Sequence, residues 1–142
     1  MTIKDLFKQL DGIFHFDLDV AADLVEHMTP VYLTEFEDGL KASWKRFTCQ
    51  AGRVWCNPPY DVAKLGLWRD RAEKEGKNGV LVAFHCVGEP SVLAQYVFQN
   101  ARLIYIPQQQ IYDGPSVVGF YGPMTNDQRA KLCELPGTVQ GR

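Results

Sequence analysis

The sequence predicts a single α/β domain in which a largely parallel sheet carries helices on both faces. Three observations lead there. Apolar runs of strand character alternate with segments of helical spacing along one continuous chain, the order that builds a parallel sheet with crossover helices. The run 79–87, GVLVAFHCV, is hydrophobic without alternation, as a central strand covered on both faces has to be. And 142 residues leave room for one core and no appended module. The domain is expected over residues 1–136, with 137–142, GTVQGR, frayed.

Element by element, Thr2 is placed to cap a helix running to about Leu10, with Leu6, Phe7 and Leu10 on one face and Gly12 as its stop. IFHFDLDV (13–20) alternates and reads as a strand finishing near Asp19. AADLVEHM (21–28) reads as a short helix stopped before Pro30. Residues 29–47 show no regular pattern. GRVWC (52–56) is a short apolar strand, cut off by Pro58 and Pro59 because neither can donate to a ladder.

Helix resumes from about Asp61 to Glu75, with Gly76 as C-terminal cap. Val62, Leu65 and Trp68 share its apolar face, and Lys64, Arg71 and Lys74 lie largely elsewhere. After the central strand, Pro90 opens the helix PSVLAQYVFQN. RLIYI (102–106) is a further strand, and a polar loop, PQQQIYDGP, leads to the strand SVVGFYG (116–122). TNDQRAKLCEL carries a capping box at Thr125 and Gln128.

Charge and cysteine usage narrow the function classes. Fifteen basic against 17 acidic side chains leave a net charge of −2, which excludes a protein whose main affinity comes from a uniformly basic surface but leaves a local basic groove open. Cys49, Cys56, Cys86 and Cys133 form no C-x-x-C pair and the histidines do not cluster, so no metal site is expected. Free thiols in a reducing cytoplasm are the natural reading, because the start MTIKDLFKQ is too polar for a signal peptide. No apolar run approaches the roughly 18 residues of a membrane span.

The chemistry is concentrated in Asn57-Pro58-Pro59-Tyr60, which follows a strand and precedes a helix. In open α/β sheets ligands sit at the carboxyl ends of strands, and this loop lies at such an end. An aromatic exocyclic amine is a poor nucleophile because its lone pair is delocalised into the ring. The Asn57 side-chain oxygen and the Pro58 carbonyl can both accept from such an amine, drawing its nitrogen toward a tetrahedral geometry. Pro59 stiffens the turn, so the acceptors are in place before reaction. Tyr60 offers a flat face on which a base can stack, worth roughly 1–3 kcal/mol. The plain alternative is a proline-rich turn with Asn57 as a cap. The apolar strand before it and the tyrosine after it favour methyl transfer.

The blocks TIKDLFKQL, FDLDVAA, YLTEFEDGL followed by Trp44, and VWCNPPY occur in that order. In them the chain resembles the phage-type DNA adenine-N6 methyltransferases, the compact Dam-like family that uses S-adenosylmethionine. The likeness is close over residues 2–72 and looser beyond. It implies a class I, Rossmann-like methyltransferase domain with no separate target-recognition domain, acting on double-stranded DNA in the cytoplasm, that of a bacterial host if the chain is phage- or prophage-encoded. The resemblance further implies that Asp19, with the small Ala21 and Ala22, lies at the methionine part of the cofactor. It implies that Asp38 accepts from the cofactor's adenine amine or ribose, and that Thr2 contacts its carboxylate. Asn57, Pro58, Pro59 and Tyr60 hold the flipped adenine in this reading. Lys41, Lys45, Arg46 and Arg53 form a basic stretch that would touch the phosphate backbone, with a solvated surface as its default. Target specificity would come from loops on the core or from a second subunit in a homodimer.

Three segments depart from the family pattern. Ile3 stands for a proline, Pro107-Gln108-Gln109-Gln110 replaces a basic stretch, and Phe84-His85-Cys86 replaces a proline-containing loop. They keep a second reading open, a non-catalytic relative that binds cofactor, DNA or protein. A third reading keeps the enzyme but moves the acceptor to RNA or a protein glutamine, against which the DVAA and EDGL blocks argue. His85 is expected to be a buried, hydrogen-bonded residue and not a base, and Trp44, Trp55 and Trp68 are expected in the core.

Overall fold

The computed structural model describes residues 1–48 and 52–141. Cys49 lies outside them. Five helices, α1 (Ile3–Phe14), α2 (Trp44–Phe47), α3 (Val62–Lys77), α4 (Pro90–Tyr96) and α5 (Asn126–Glu134), are described together with six strands. The strands are β1 (Leu18–Asp19), β2 (Arg53–Cys56), β3 (Leu81–Val87), β4 (Leu103–Pro107), β5 (Ser116–Tyr121) and β6 (Gly137–Gly141), and they form one sheet in the order β1-β2-β3-β5-β4-β6.

Helices cover both faces, as expected. Leu6, Phe7, Leu10 and Phe14 of α1 and Leu132 of α5 pack on Trp55, Ala83, Val118 and Phe120. On the other face Leu65, Trp68 and Ala72 of α3 and Leu93 of α4 pack on Val54, Val82 and Phe84. All six residues from Leu81 to Cys86 are buried, which is why the strand shows no alternation. The three tryptophans are buried in these two cores.

The sheet is only half parallel. β1, β2 and β3 pair in parallel, whereas β3 with β5, β4 with β5, and β4 with β6 pair antiparallel. The physical reason is the connection between β4 and β5. Residues 108–115 hold no helix, and a parallel crossover needs a dozen residues or more. Residues 137–141, expected to fray, are ordered as a strand, and Arg142 lies outside the described residues. Gly137–Gly141 is β6, paired with all five residues of β4, and Tyr105 donates from its hydroxyl to the Pro136 carbonyl at 2.6 Å just before it.

Three boundaries shift for local reasons. Helix α1 runs through Gly12 to Phe14 and is capped by His15 in the left-handed region at φ 53°. Burying Phe14, at about 1.5–3 kcal/mol, outweighs the roughly 1 kcal/mol penalty of an exposed helical glycine. The predicted strand 13–20 therefore shrinks to Leu18–Asp19. Gly76 is inside α3, whose cap is Asn78. A Cβ on Gly76 would sit 2.7 Å from the Gly122 nitrogen, so this glycine serves close packing and not the cap.

The predicted helix 21–28 does not form. Its backbone N–H groups are taken by carboxylates: Asp23 Oδ1 accepts from Val25 and Glu26, and Asp19 accepts from Ala21 and Met28. Side-chain acceptors of this kind compete directly with the helical ladder.

Candidate active site

The parallel half of the sheet opens a cleft of about 1240 Å³ at the carboxyl ends of β1 and β2. One wall is Val20–Glu26 with Thr34–Phe36 and Asp38–Leu40, and the other is Asn57, Pro58 and Pro59 with Lys64 and Trp68 from α3. Val20–Glu26 and Asn57–Pro59, more than 30 residues apart in sequence, thus meet because β1 pairs with β2 in parallel, Asp19 beside Trp55.

The short wall is simple. Pro58 is buried, while Pro59 is exposed and Tyr60 presents 65% of its surface. The chain turns at once into α3, whose cap Asp61 accepts from the Ala63 N–H at 3.1 Å. Asn57 Oδ1 accepts from His85 Nδ1 at 2.8 Å. Next to it, burial holds the Cys56 thiol well above its ordinary range and pushes Cys86 up to about 11. Both thiols stay protonated at neutral pH, so neither is a nucleophile here.

The long wall carries no helix or named strand between Val20 and Ser43 and is held by buried polar groups. Asp19 is 4% exposed, and its two carboxylate oxygens accept from the backbone of Ala21 at 3.3 Å and Met28 at 3.0 Å. Burial raises its pKa, opposed by those two hydrogen bonds. Its carboxylate thus shapes the loop that places Ala21 and Ala22 on the cleft.

Asp38 sits in the left-handed region at φ 59°, a conformation that aspartate tolerates better than most residues. Its Oδ1 accepts from Leu40 N–H at 3.1 Å, and its carbonyl accepts from Lys41 and Ala42. Gly39 follows because a Cβ there would overlap the Val20 carbonyl and the Trp68 ring.

Trp44, expected in the core, and Arg71, which the sequence did not mark, hold this turn from below. Trp44 Nε1 donates to the Gly39 carbonyl at 2.7 Å, and Arg71 donates to the carbonyls of Leu40, at 2.7 Å, and Ala42. The Arg71 guanidinium lies 4.8 Å over the Trp44 ring and pairs with Glu75 at 3.1 Å, both side chains largely buried. Periodicity assigns Arg71 to the polar side of its helix. The one available signal was its four-residue spacing from Glu75.

Of the expected site residues, the fold brings Ala21, Ala22, Asp38, Asn57, Pro58 and Pro59 to one cleft. Tyr60 is exposed beside them. Thr2 is elsewhere. Its hydroxyl caps α1 by accepting from Asp5 N–H at 3.0 Å, in a capping box with Asp5. The N-terminus that carries it is tied to the β4–β5 loop, where Met1 donates to the Gln110 carbonyl at 3.0 Å.

The basic stretch is split. Lys41 reaches Asp38 at 3.9 Å, and Lys45 and Arg46 are exposed on α2. Arg53 lies at the amino end of β2, three residues before Cys56, and donates to the His15 carbonyl at 3.3 Å. It stands away from the cleft mouth.

A methyl-transfer site at strand ends is one arrangement a cleft of this form can serve, and the family comparison decides which family it belongs to. Residues 1–110 match the model of the DNA N-6-adenine-methyltransferase (Dam) family. The chain belongs to the Dam family. The match covers α1, both walls of the cleft, β3 and β4, and it ends in the β4–β5 loop. No curated protein matches this Dam-family chain. No described helix is long and apolar enough to cross a membrane.

Proposed function

We propose that this Dam-family protein transfers the methyl group of S-adenosylmethionine to the exocyclic amine of an adenine flipped out of double-stranded DNA, on a class I, Rossmann-like domain. The observation that carries the reading is the convergence of Ala21, Ala22 and Asp38 with Asn57, Pro58 and Pro59 on one cleft. A cleft of about 1240 Å³ exceeds the usual few hundred to 1,000 Å³ of a small-molecule site, so it has room for both a cofactor and an extruded base.

The lining suits the cofactor. Ala21 and Ala22 permit close backbone approach, as a glycine loop does in other nucleotide sites. Asp23, Glu26, Glu35 and Asp38 surround the space with carboxylates, complementary to a ligand that carries an ammonium and a sulfonium. Asp38 accepts from its adenine amine or ribose. When bound, the cofactor supplies an electrophilic methyl group.

The residues of the short wall act on the other reactant. Asn57 Oδ1 and the Pro58 carbonyl accept from the two hydrogens of the adenine amine and localise its lone pair for attack. Because the two prolines stiffen the backbone that carries these acceptors, little backbone reorganisation is needed when charge develops on the nitrogen. Tyr60 stacks on the extruded base. Lys41, Lys45 and Arg46 contact backbone phosphates, and Arg53 does not share that face.

One observation favours a second reading, a binding module without turnover. The β4–β5 loop lies at the same end of the sheet as Asn57 and is uncharged from Gln108 to Gln110, all three exposed. A single experiment separates the two. Purified protein is incubated with labelled S-adenosylmethionine and unmethylated DNA, RNA or protein, beside Asn57→Ala. Label in DNA adenine that falls about 10²–10³-fold in the variant is the expected result. Cofactor binding by calorimetry with transfer to no acceptor establishes the binding module instead, and label in RNA or protein moves the acceptor.

A further inference from the structure

His85 is 2% exposed and sits on β3 facing the α1 side of the sheet, where its ring stacks on Trp55 at 6.1 Å and 19°. The parallel register brings it to Asn57. Cys56 pairs with Phe84, so the next residue on each strand is Asn57 beside His85. An amide oxygen only accepts, so the 2.8 Å contact fixes the histidine tautomer: Nδ1 bears the proton and donates, and Nε2 bears the lone pair. Nε2 is buried with no hydrogen-bond partner among the described residues. Burial lowers the His85 pKa to about 4, so the ring is neutral at physiological pH.

An apolar side chain would fill this place without a buried, unsatisfied nitrogen. What the histidine adds is its single bond to Asn57. The terminal torsion of asparagine is broad and roughly two-fold, and its two ends are nearly equal in size. With the amide reversed, an NH₂ group would meet the incoming amine, donor against donor. The Nδ1–H group favours the oxygen at its own side of the amide, and that oxygen keeps a second lone pair for the substrate.

We propose that His85 is a positioning residue that locks the side-chain amide of Asn57 in the orientation required of an amine acceptor. The inference rests on the role of Asn57 given above. Its effect falls on the rate of transfer and not on cofactor affinity, because His85 reaches the cleft only through Asn57.

The tautomer is read first, on the folded wild-type protein, by ¹H–¹⁵N correlation of the histidine ring nitrogens. Protonated Nδ1 with unprotonated Nε2 is expected, and the opposite tautomer overturns the proposal without any variant. Kinetics then use His85→Phe, which keeps an aromatic ring and loses the donor, and His85→Asn, whose amide nitrogen falls near the position of Nδ1. His85→Phe is expected to lower kcat about 10- to 100-fold at unchanged Kd for S-adenosylmethionine by calorimetry, and His85→Asn to recover most of the loss. In an Asn57→Ala background His85→Phe is expected to add less than about two-fold, as non-additive partners do. Wild-type kcat in His85→Phe beside an inactive Asn57→Ala overturns the positioning role, as do losses that multiply in the double variant. An active Asn57→Ala overturns the role of Asn57 instead.

Discussion

The two walls of the cleft are held in opposite ways. Residues 57–60 are short and stiffened by two consecutive prolines, and one side-chain hydrogen bond, to His85, orients the group that matters. Residues 20–42 have neither helix nor named strand, and their shape depends on Asp19, Trp44 and Arg71 supplying partners for backbone groups that the sheet leaves over. A covalently stiff loop concentrates the proposed function in few atoms, so under that proposal damage there touches chemistry. A loop held by buried polar contacts ties the shape of the cleft to stability, because each contact broken leaves a buried group unsatisfied.

The largest expected consequence of that difference lies in the long wall. Arg71→Ala takes donors from the carbonyls of Leu40 and Ala42 and leaves the largely buried Glu75 carboxylate without its counter-charge. A stability loss of about 3–5 kcal/mol is expected, together with weakened S-adenosylmethionine binding. Asn57→Ala, by contrast, should cost the smaller amount of about 1–3 kcal/mol, because it leaves only the buried Nδ1–H of His85 unpaired. Urea titrations of both variants beside calorimetry check the pair, and an Arg71→Ala protein with wild-type midpoint and affinity would break the comparison.

The short wall carries its own pH signature. The unfolded chain protonates His85 at its ordinary 6.5 and the folded protein only near 4. Between those values the unfolded state binds more protons, so stability falls as pH is lowered through that window, by about 3 kcal/mol in all. Above 6.5 this contribution is fully present. His85→Asn should flatten that part of the stability–pH curve, measured as the difference from wild type in melts between pH 7 and pH 4. A parallel curve for variant and wild type would show that the ring titrates normally.

The smallest effect separates a cap from a ligand. Thr2→Ala removes the α1 capping box and should cost about 1 kcal/mol of stability with S-adenosylmethionine affinity unchanged. A loss of affinity without a loss of stability would return Thr2 to the cofactor site.

Much of this arrangement is legible in the amino-acid sequence. The apolar run 79–87, the capping box at Thr125 and Gln128, and the turn at Pro58 and Pro59 are local signals, and local signals survive folding. Asn57 could be singled out because its neighbours in the chain already define a stiff loop at a strand end. Where the structure departs from these signals, a competing hydrogen-bond partner wins. AADLVEHM has helical composition, but Asp19 and Asp23 take its N–H groups. GTVQG looks too polar to be ordered, but an open edge of β4 offers it a complete ladder.

The sequence by itself determined a mixed α/β domain, its family blocks and the proline-stiffened tetrad at a strand end, because these depend on residues close together along the chain. Only the tertiary structure decided which groups support them. Arg71 reaches a loop some 30 residues earlier, and His85 meets Asn57 across 28 residues through the parallel register of β2 and β3. No periodicity encodes such pairs. They exist because strand pairing places distant residues side by side, and burial then requires each polar group to find a partner.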